Sequence, residues 1–253
     1  MTRDQKIQLA RTAPAWMYEF DLGDGIKTPL LDEELRSVHQ TREQLIVASI
    51  QEYFPTGLAG KRALDVACNE GYFSQLLYRL GANVRAIDIR EQNIDRAKTI
   101  QSLYELNSNR LVFEAEDFLD NRDPEGSYDL TLFLGVLYHL ENPMGALRQL
   151  RKVTQKLCIL ETQLTRLNAP IESGWGSESK FLHLPGSLAI YLETDMEQNR
   201  LASYSSLSFI PNIAAVHQML EAAGFSKVVK AAAQPGMNPQ YLRNDRGVFL
   251  AFV

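Results

Sequence analysis

Three aspartates and one histidine stand where apolar runs end, and those positions are where a chain of this kind can do chemistry. The run Asp65-Val-Ala-Cys-Asn-Glu-Gly71 passes directly into a helical pattern, so a strand feeds a tight loop and the loop feeds a helix. Such a loop offers unpaired backbone N–H groups at the helix N-terminus and, at Gly71, lets a ligand come close to the main chain. One helix later Asp88 closes Asn83-Val-Arg-Ala-Ile-Asp88, where a carboxylate can accept hydrogen bonds from both hydroxyls of a ribose. These residues describe a nucleotide-type binding corner. The string G-x-G-x-x-G occurs nowhere in the chain, which sets the dinucleotide oxidoreductases well behind.

His139 is the chemically versatile residue at the end of a later apolar run, Tyr128-Asp-Leu-Thr-Leu-Phe-Leu-Gly-Val-Leu-Tyr-His139. An imidazole titrates near neutral pH and suits proton removal from a hydroxyl or an amine. It equally suits a hydrogen-bonding cap after a buried strand, and both roles stand at this point. Tyr138 beside it shares the position, because strand alternation alone does not say which of the two faces a ligand.

The elements that must position these residues follow from Lys61 onward in a regular rhythm. Strands are predicted at 62–67, 83–88, 111–115, 128–134 and 156–161, with helices at 72–80, 91–104 and 143–153. This alternation predicts an α/β fold with a doubly wound, Rossmann-like, mostly parallel sheet. Two further strands near 227–233 and 247–253 bring the sheet to seven and form an antiparallel C-terminal hairpin. In such a sheet ligands bind outside the carboxyl ends of the strands, and Asp65, Asp88, Asp117 and Gly135 all lie at or just past those ends.

Residues 1–55 read as an N-terminal helical cap, with helices near 5–11 and 32–54 around the aromatics Trp16, Tyr18 and Phe20. Those aromatics face the cleft or bury against the sheet edge. The α/β core occupies 56–161 and resumes at 212–253. Residues 162–211 interrupt the rhythm, and an insertion of that length with Trp175 between two glycines, His183, Tyr191, Tyr204 and Phe209 reads as a lid that shields the site.

Composition sets bounds on partners. The 253 residues carry a formal charge of −5, so no general field attracts a polyanion. No apolar run suits a bilayer and no basic-then-apolar leader opens the chain, so the cytoplasm is the expected compartment. The two cysteines, Cys68 and Cys158, and the four histidines lie far apart and give no metal spacing. There is no G-x-S-x-G elbow for a hydrolase.

The Asp65–Gly71 and Asp88 motifs resemble the first two motifs of class I S-adenosylmethionine (SAM) dependent methyltransferases, with Ala67 and Asn69 in place of two customary glycines. Gly135-Val-Leu-Tyr-His139, Pro143, Ser208-Phe-Ile-Pro-Asn212 and Leu220-Glu-Ala-Ala-Gly-Phe225 narrow the resemblance to the branch that contains the bacterial wobble-uridine tRNA carboxymethyltransferase. The resemblance implies SAM as cofactor and S-adenosylhomocysteine as product. It implies cofactor contacts from Asp65, Ala67, Cys68, Asn69, Gly71, Asp88, Ile89 and Gly135, with Asp117 on the adenine amino group and Phe118 and Ile89 on the ring faces. His139 and Tyr138 become the catalytic candidates, and Trp16, Trp175, His183, Tyr204 and Asn212 the candidates for the acceptor. The branch enzyme uses carboxy-SAM through a basic residue in its N-terminal segment. Here Trp16-Met-Tyr-Glu-Phe-Asp21 stands in that place, which favours ordinary SAM. The expected function is methyl transfer to a small polar acceptor, such as a hydroxyl of a sugar or secondary metabolite. A tRNA-modifying transferase and a binding protein without turnover are the alternatives.

Overall fold

The computed structural model describes residues 1–11, 15–167, 171–173, 180–182, 186–192 and 207–253. Seven strands form the central sheet: β1 Arg62–Val66, β2 Asn83–Asp88, β3 Leu111–Ala115, β4 Tyr128–Leu134, β5 Thr154–Gln163, β6 Lys227–Lys230 and β7 Arg246–Phe252. Their spatial order is β6-β7-β5-β4-β1-β2-β3. β1 to β5 run parallel, whereas β7 lies antiparallel between β6 and β5. The winding reverses between β1 and β4, and the carboxyl ends of those two strands therefore border a crevice.

Apolar side chains alternate to the two faces and build two cores. On one face Ala63, Leu130, Leu132 and Ile159 meet helices α2 Glu34–Tyr53, α3 Tyr72–Arg79 and α4 Glu91–Leu103, which follow the N-terminal helix α1 Arg3–Arg11. On the other, Leu64, Val66, Phe133 and Leu160 meet α5 Pro143–Val153 and α6 Ile213–Ala222. Both faces are thus covered, which explains why the strands read as nearly continuous apolar runs. The entries to α5 and α6 are fixed by Asn142, which accepts from Gly145 N at 2.8 Å, and by Asn212, which accepts from Ala215 N at 2.8 Å.

The strands and helices fall within a few residues of their predicted places. β5 is longer than expected, running from Thr154 to Gln163 in place of 156–161, so the buried Glu161 is followed by two further strand residues. The turn before β7 holds a short helix, Pro239–Leu242, started by Asn238, whose side chain accepts from Gln240 N at 2.9 Å. The 162–211 stretch contributes strand pairs that periodicity did not show. Ile171–Ser173 pairs with Lys180–Leu182, and Leu188–Leu192 pairs with Leu207–Pro211, both antiparallel. Trp175, His183 and Tyr204 lie outside the described residues. Among the described residues no helix is long and apolar enough to cross a membrane.

Candidate functional site

A cavity of about 910 Å³ opens at the carboxyl ends of β1, β2 and β4, with α2 and the strand residues Tyr191 and Leu192 among its walls. A second, shallower hollow lies along the N-terminal helix Arg3–Arg11 and presents no grouped chemistry.

The loop after β1 keeps the shape a glycine-rich turn would have. Ala67 has φ +56° and Asn69 φ +52°, so both occupy the left-handed region at the positions where the motif is usually glycine. Asn tolerates that region through its short polar side chain, while Ala carries a steric penalty there. Gly71 has a different reason to be glycine. A Cβ on it would lie 2.6 Å from Cζ of Phe113 and 3.1 Å from Cβ of Ala97, so its bareness seats the loop on β3 and α4. The expected close approach of a ligand at Gly71 is therefore corrected: this residue packs inward and does not line the cavity.

Asp88 does line it, 5% exposed, at the end of β2. Its Oδ2 accepts from Asn69 N at 2.9 Å, and its Oδ1 accepts from Arg90 N at 2.9 Å and Asn93 Nδ2 at 3.2 Å. Burial raises its pKa, and these donors oppose the rise. A carboxylate offers about four lone-pair positions. Three are engaged by the protein, so Asp88 shapes the loop as well as offering an acceptor to a ligand. Beside it, Glu116 N bonds Asp88 O at 3.0 Å, which brings Asp117 and Phe118 to the same region as Ile89. Asp117 accepts from Leu119 N at 2.9 Å, Phe118 is buried and Ile89 is 45% exposed. This is an acceptor set with flat and aliphatic surfaces, the combination an adenosine requires.

Three residues expected to touch the cofactor sit behind that wall. Asp65 is buried and accepts from Ser74 Oγ at 2.6 Å; burial pushes its pKa to about 7, against the pull of Ser74. Cys68 is buried, with its N–H bonded to Ile87 O at 2.9 Å, and Gly71 is the third. Ala67, Asn69, Asp88, Ile89, Asp117, Phe118 and Gly135 all line the cavity.

The loop also holds a residue that sequence reading passed over. Glu70 is fully buried; its Oε2 accepts from Met17 N at 2.8 Å and Tyr18 N at 3.2 Å, and its Oε1 meets Arg96 Nη1 at 2.7 Å. Arg96 in turn lies 4.5 Å from the centre of the Trp16 ring. Trp16 is thereby a wholly buried clamp for the N-terminal segment and not an acceptor contact. Asn212 is corrected likewise. It caps α6 and gives its Nδ2 to Leu167 O at 3.0 Å, off the cavity.

At the end of β4, Gly135 turns with φ +71° into a short 3₁₀ turn, Leu137–His139, and both Tyr138 and His139 line the cavity. Their rings lie 4.1 Å apart. Tyr138 is 6% exposed and burial raises its pKa, so it is a neutral phenol. The same wall contains Tyr18, one of the aromatics for which a cleft-facing place was open, together with His39, Arg42 and Arg246, none of which was expected. His39 and Arg42 lie on one face of α2 with Leu35 and Ile46, and polar residues on an otherwise apolar helix face were the available signal.

The methyltransferase domain family matches residues 38–230, about three quarters of the chain and most of the cavity lining, with Met17, Tyr18, Leu35 and Arg246 outside the match. The chain belongs to that family. The chain has the fold of class I SAM-dependent methyltransferases, and the proteins it resembles differ in the substrates their names give. It is 35% identical over 101 residues to the ubiquinone biosynthesis O-methyltransferase of Burkholderia vietnamiensis, covering 39% of this chain and 41% of that one. It is 28% identical over 174 residues to the tRNA U34 carboxymethyltransferase of Haemophilus influenzae, covering 68% and 47%. In both, the matched stretch spans less than half of the relative's length. Among solved structures, the N-terminal domain of EvdMO1 with S-adenosylhomocysteine and D-fucose superposes with a TM-score of 0.67 at 18% identity, over 99% of this chain and 96% of that one. The magnesium protoporphyrin IX methyltransferase of Synechocystis with bound SAM gives 0.58 at 16%, over 91% and 86%.

Proposed function

We propose that this methyltransferase moves a methyl group from SAM to a hydroxyl of a small polar acceptor. The carrying observation is a single cavity that has Asp88, Ile89 and Phe118 in one wall and Gly135, Tyr138 and His139 in another. Asp88 would hold the ribose, Asp117 the adenine amino group, and Ile89 with Phe118 the ring. When bound, SAM supplies an electrophilic methyl group. The protein's own contribution is alignment of the acceptor and exclusion of water, with His139 placed to take the hydroxyl proton. The pair Leu188–Leu192 and Leu207–Pro211 forms part of the lid, since Tyr191 and Leu192 reach the cavity. The loop is not decayed: Ala67 and Asn69 hold the glycine-type backbone, which supports turnover over a silent binding role.

The test is calorimetric titration with SAM and S-adenosylhomocysteine, joined to mass spectrometry of small molecules that copurify. Micromolar binding of both supports the reading, and absence of binding by the folded protein overturns it. The likeness to the Haemophilus tRNA enzyme favours a second reading, in which a tRNA wobble uridine is the acceptor. Salt-sensitive tRNA binding would support that reading and its absence would leave the small acceptor.

A further inference from the structure

Among the described residues, the wall of the cavity beside Gly135 contains more positive charge than its acidic partner neutralises. Glu161 on β5 is fully buried, with Arg42 Nη2 3.0 Å from its Oε2 and Arg246 Nη1 3.0 Å from its Oε1. Tyr241 Oη donates to the same Oε1 at 3.0 Å, and Arg246 Nε donates to Gln240 Oε1 at 2.9 Å. The Arg42 contact is a charge contact without hydrogen-bond alignment at Oε2. Arg42 makes one hydrogen bond among the described residues, from Nε to Tyr241 Oη at 3.4 Å. Two guanidiniums thus share one carboxylate. The side chains are 4%, 13% and 0% exposed, so water screens the surplus charge poorly.

His39 supplies a second, independent observation. It is 5% exposed, lines the cavity, and its Nε2 has no hydrogen-bond partner among the described residues. Tyr18 packs on the imidazole with ring centres 4.4 Å apart. Burial first, then the fields of Arg42 and Arg246, lowers its pKa to about 3, so it stays neutral and can donate from Nε2 without adding charge. A buried polar atom left bare in a cavity wall is expensive unless a ligand completes it.

We infer that Arg42, Arg246 and His39 form an anion subsite, and that the acceptor carries a carboxylate or comparable acidic group near the hydroxyl that is methylated. A planar anion suits guanidiniums, which present paired N–H groups. The subsite adjoins the reaction end: the Cβ position on Gly135 lies 3.7 Å from Glu161 Oε2, 3.8 Å from Arg42 Nη2 and 3.9 Å from Tyr138 Oη. The acidic group and the reacting hydroxyl must therefore be separated by a short span, as in a small hydroxy acid. This rests on the methyltransferase reading and narrows its substrate.

The experiment compares acids with neutral counterparts in the presence of saturating S-adenosylhomocysteine. The pairs are 3,4-dihydroxybenzoate with catechol, galacturonate with galactose, and lactate with propane-1,2-diol, titrated into the wild-type protein and into Arg42→Met and Arg246→Met. The expected result is at least one acid bound tenfold or more tightly than its counterpart, with that preference lost in both variants and S-adenosylhomocysteine affinity unchanged. Acids and counterparts binding alike in the wild type would overturn the inference without any variant having to fold. So would a tenfold loss of S-adenosylhomocysteine affinity in the folded variants, since the arginines would then serve the cofactor's own carboxylate. Copurification of a donor carrying a carboxylate on its transferred group would overturn it too. If S-adenosylhomocysteine itself fails to bind, the methyltransferase reading falls first, and the two failures are distinct.

Discussion

At the scale of single residues, Asp88 has two duties that substitution can separate. Asp88→Ala removes the acceptor proposed for the ribose and three contacts from the loop, so affinity for SAM should fall by about 1–3 kcal/mol and thermal stability should fall with it. Titration and a melting curve read the two effects. Unchanged affinity would remove Asp88 from the cofactor site. His139→Ala should leave SAM affinity near wild type while lowering the single-turnover rate about 10²–10⁴-fold, the usual weight of a positioned base. A mutant that keeps most of its rate, with no inflection in the wild-type profile between pH 5.5 and 9, would reduce His139 to a cap. Ala67 offers a third measurement. With φ +56° it carries strain that glycine lacks, worth roughly 1–2 kcal/mol, partly offset by the freer unfolded chain of a glycine variant. Ala67→Gly should therefore unfold at a higher temperature, and a lower one would mean that the methyl group packs usefully against the cavity wall.

Among the elements, the loop after β1 and the N-terminal segment act together through Glu70. Glu70→Gln leaves Arg96 buried opposite a neutral amide, a change that costs about 3–5 kcal/mol when a buried pair loses one partner. Faster hydrogen exchange at the amides of Met17 and Tyr18 would show that the segment has come away from the loop. Exchange equal to wild type would show that Trp16 and Phe20 hold it by packing alone. The same comparison explains what the sequence disclosed. The strands were legible because a sheet covered on both faces turns every strand into an apolar run ended by a polar residue, as at Asp88. The cofactor corner followed because its residues are near neighbours in the chain. Glu70, Arg42, Glu161 and Arg246 were not legible, since a buried charge is recognised only by a partner that lies far away in sequence, 26 residues for Glu70 and Arg96 and 85 for Glu161 and Arg246. Gly71 was noticed for the wrong reason, because a missing Cβ does not say whether a ligand or Phe113 fills the space.

For the molecule as a whole, the described strands of the 162–211 stretch bring residues to the cavity mouth. Tyr191 and Leu192 reach the cavity from the strand pair Leu188–Leu192 and Leu207–Pro211, and Leu192 is 67% exposed. On the lid reading, an apolar residue so exposed at a cavity rim would gain cover as ligands bind. Hydrogen exchange at 188–192 should slow when S-adenosylhomocysteine and acceptor are both present, relative to either alone. Full protection in the free protein would make this pair a static wall.

The antiparallel placement of β7 between β6 and β5 bears on the order in which this molecule comes into being. The corner built from Asn69, Asp88 and Asp117 closes over short loops, inside one contiguous third of the chain. The opposite wall joins helix α2 to the turn before β7, with Arg42 and Tyr241 199 positions apart, and loop closure of that length is slow to nucleate. A chain that is refolding, or still being synthesised, can therefore acquire its cofactor corner early. On the anion-subsite reading it acquires the means to choose an acceptor only when β7 slots home, so that substrate choice would report on completed folding in a way that cofactor binding would not.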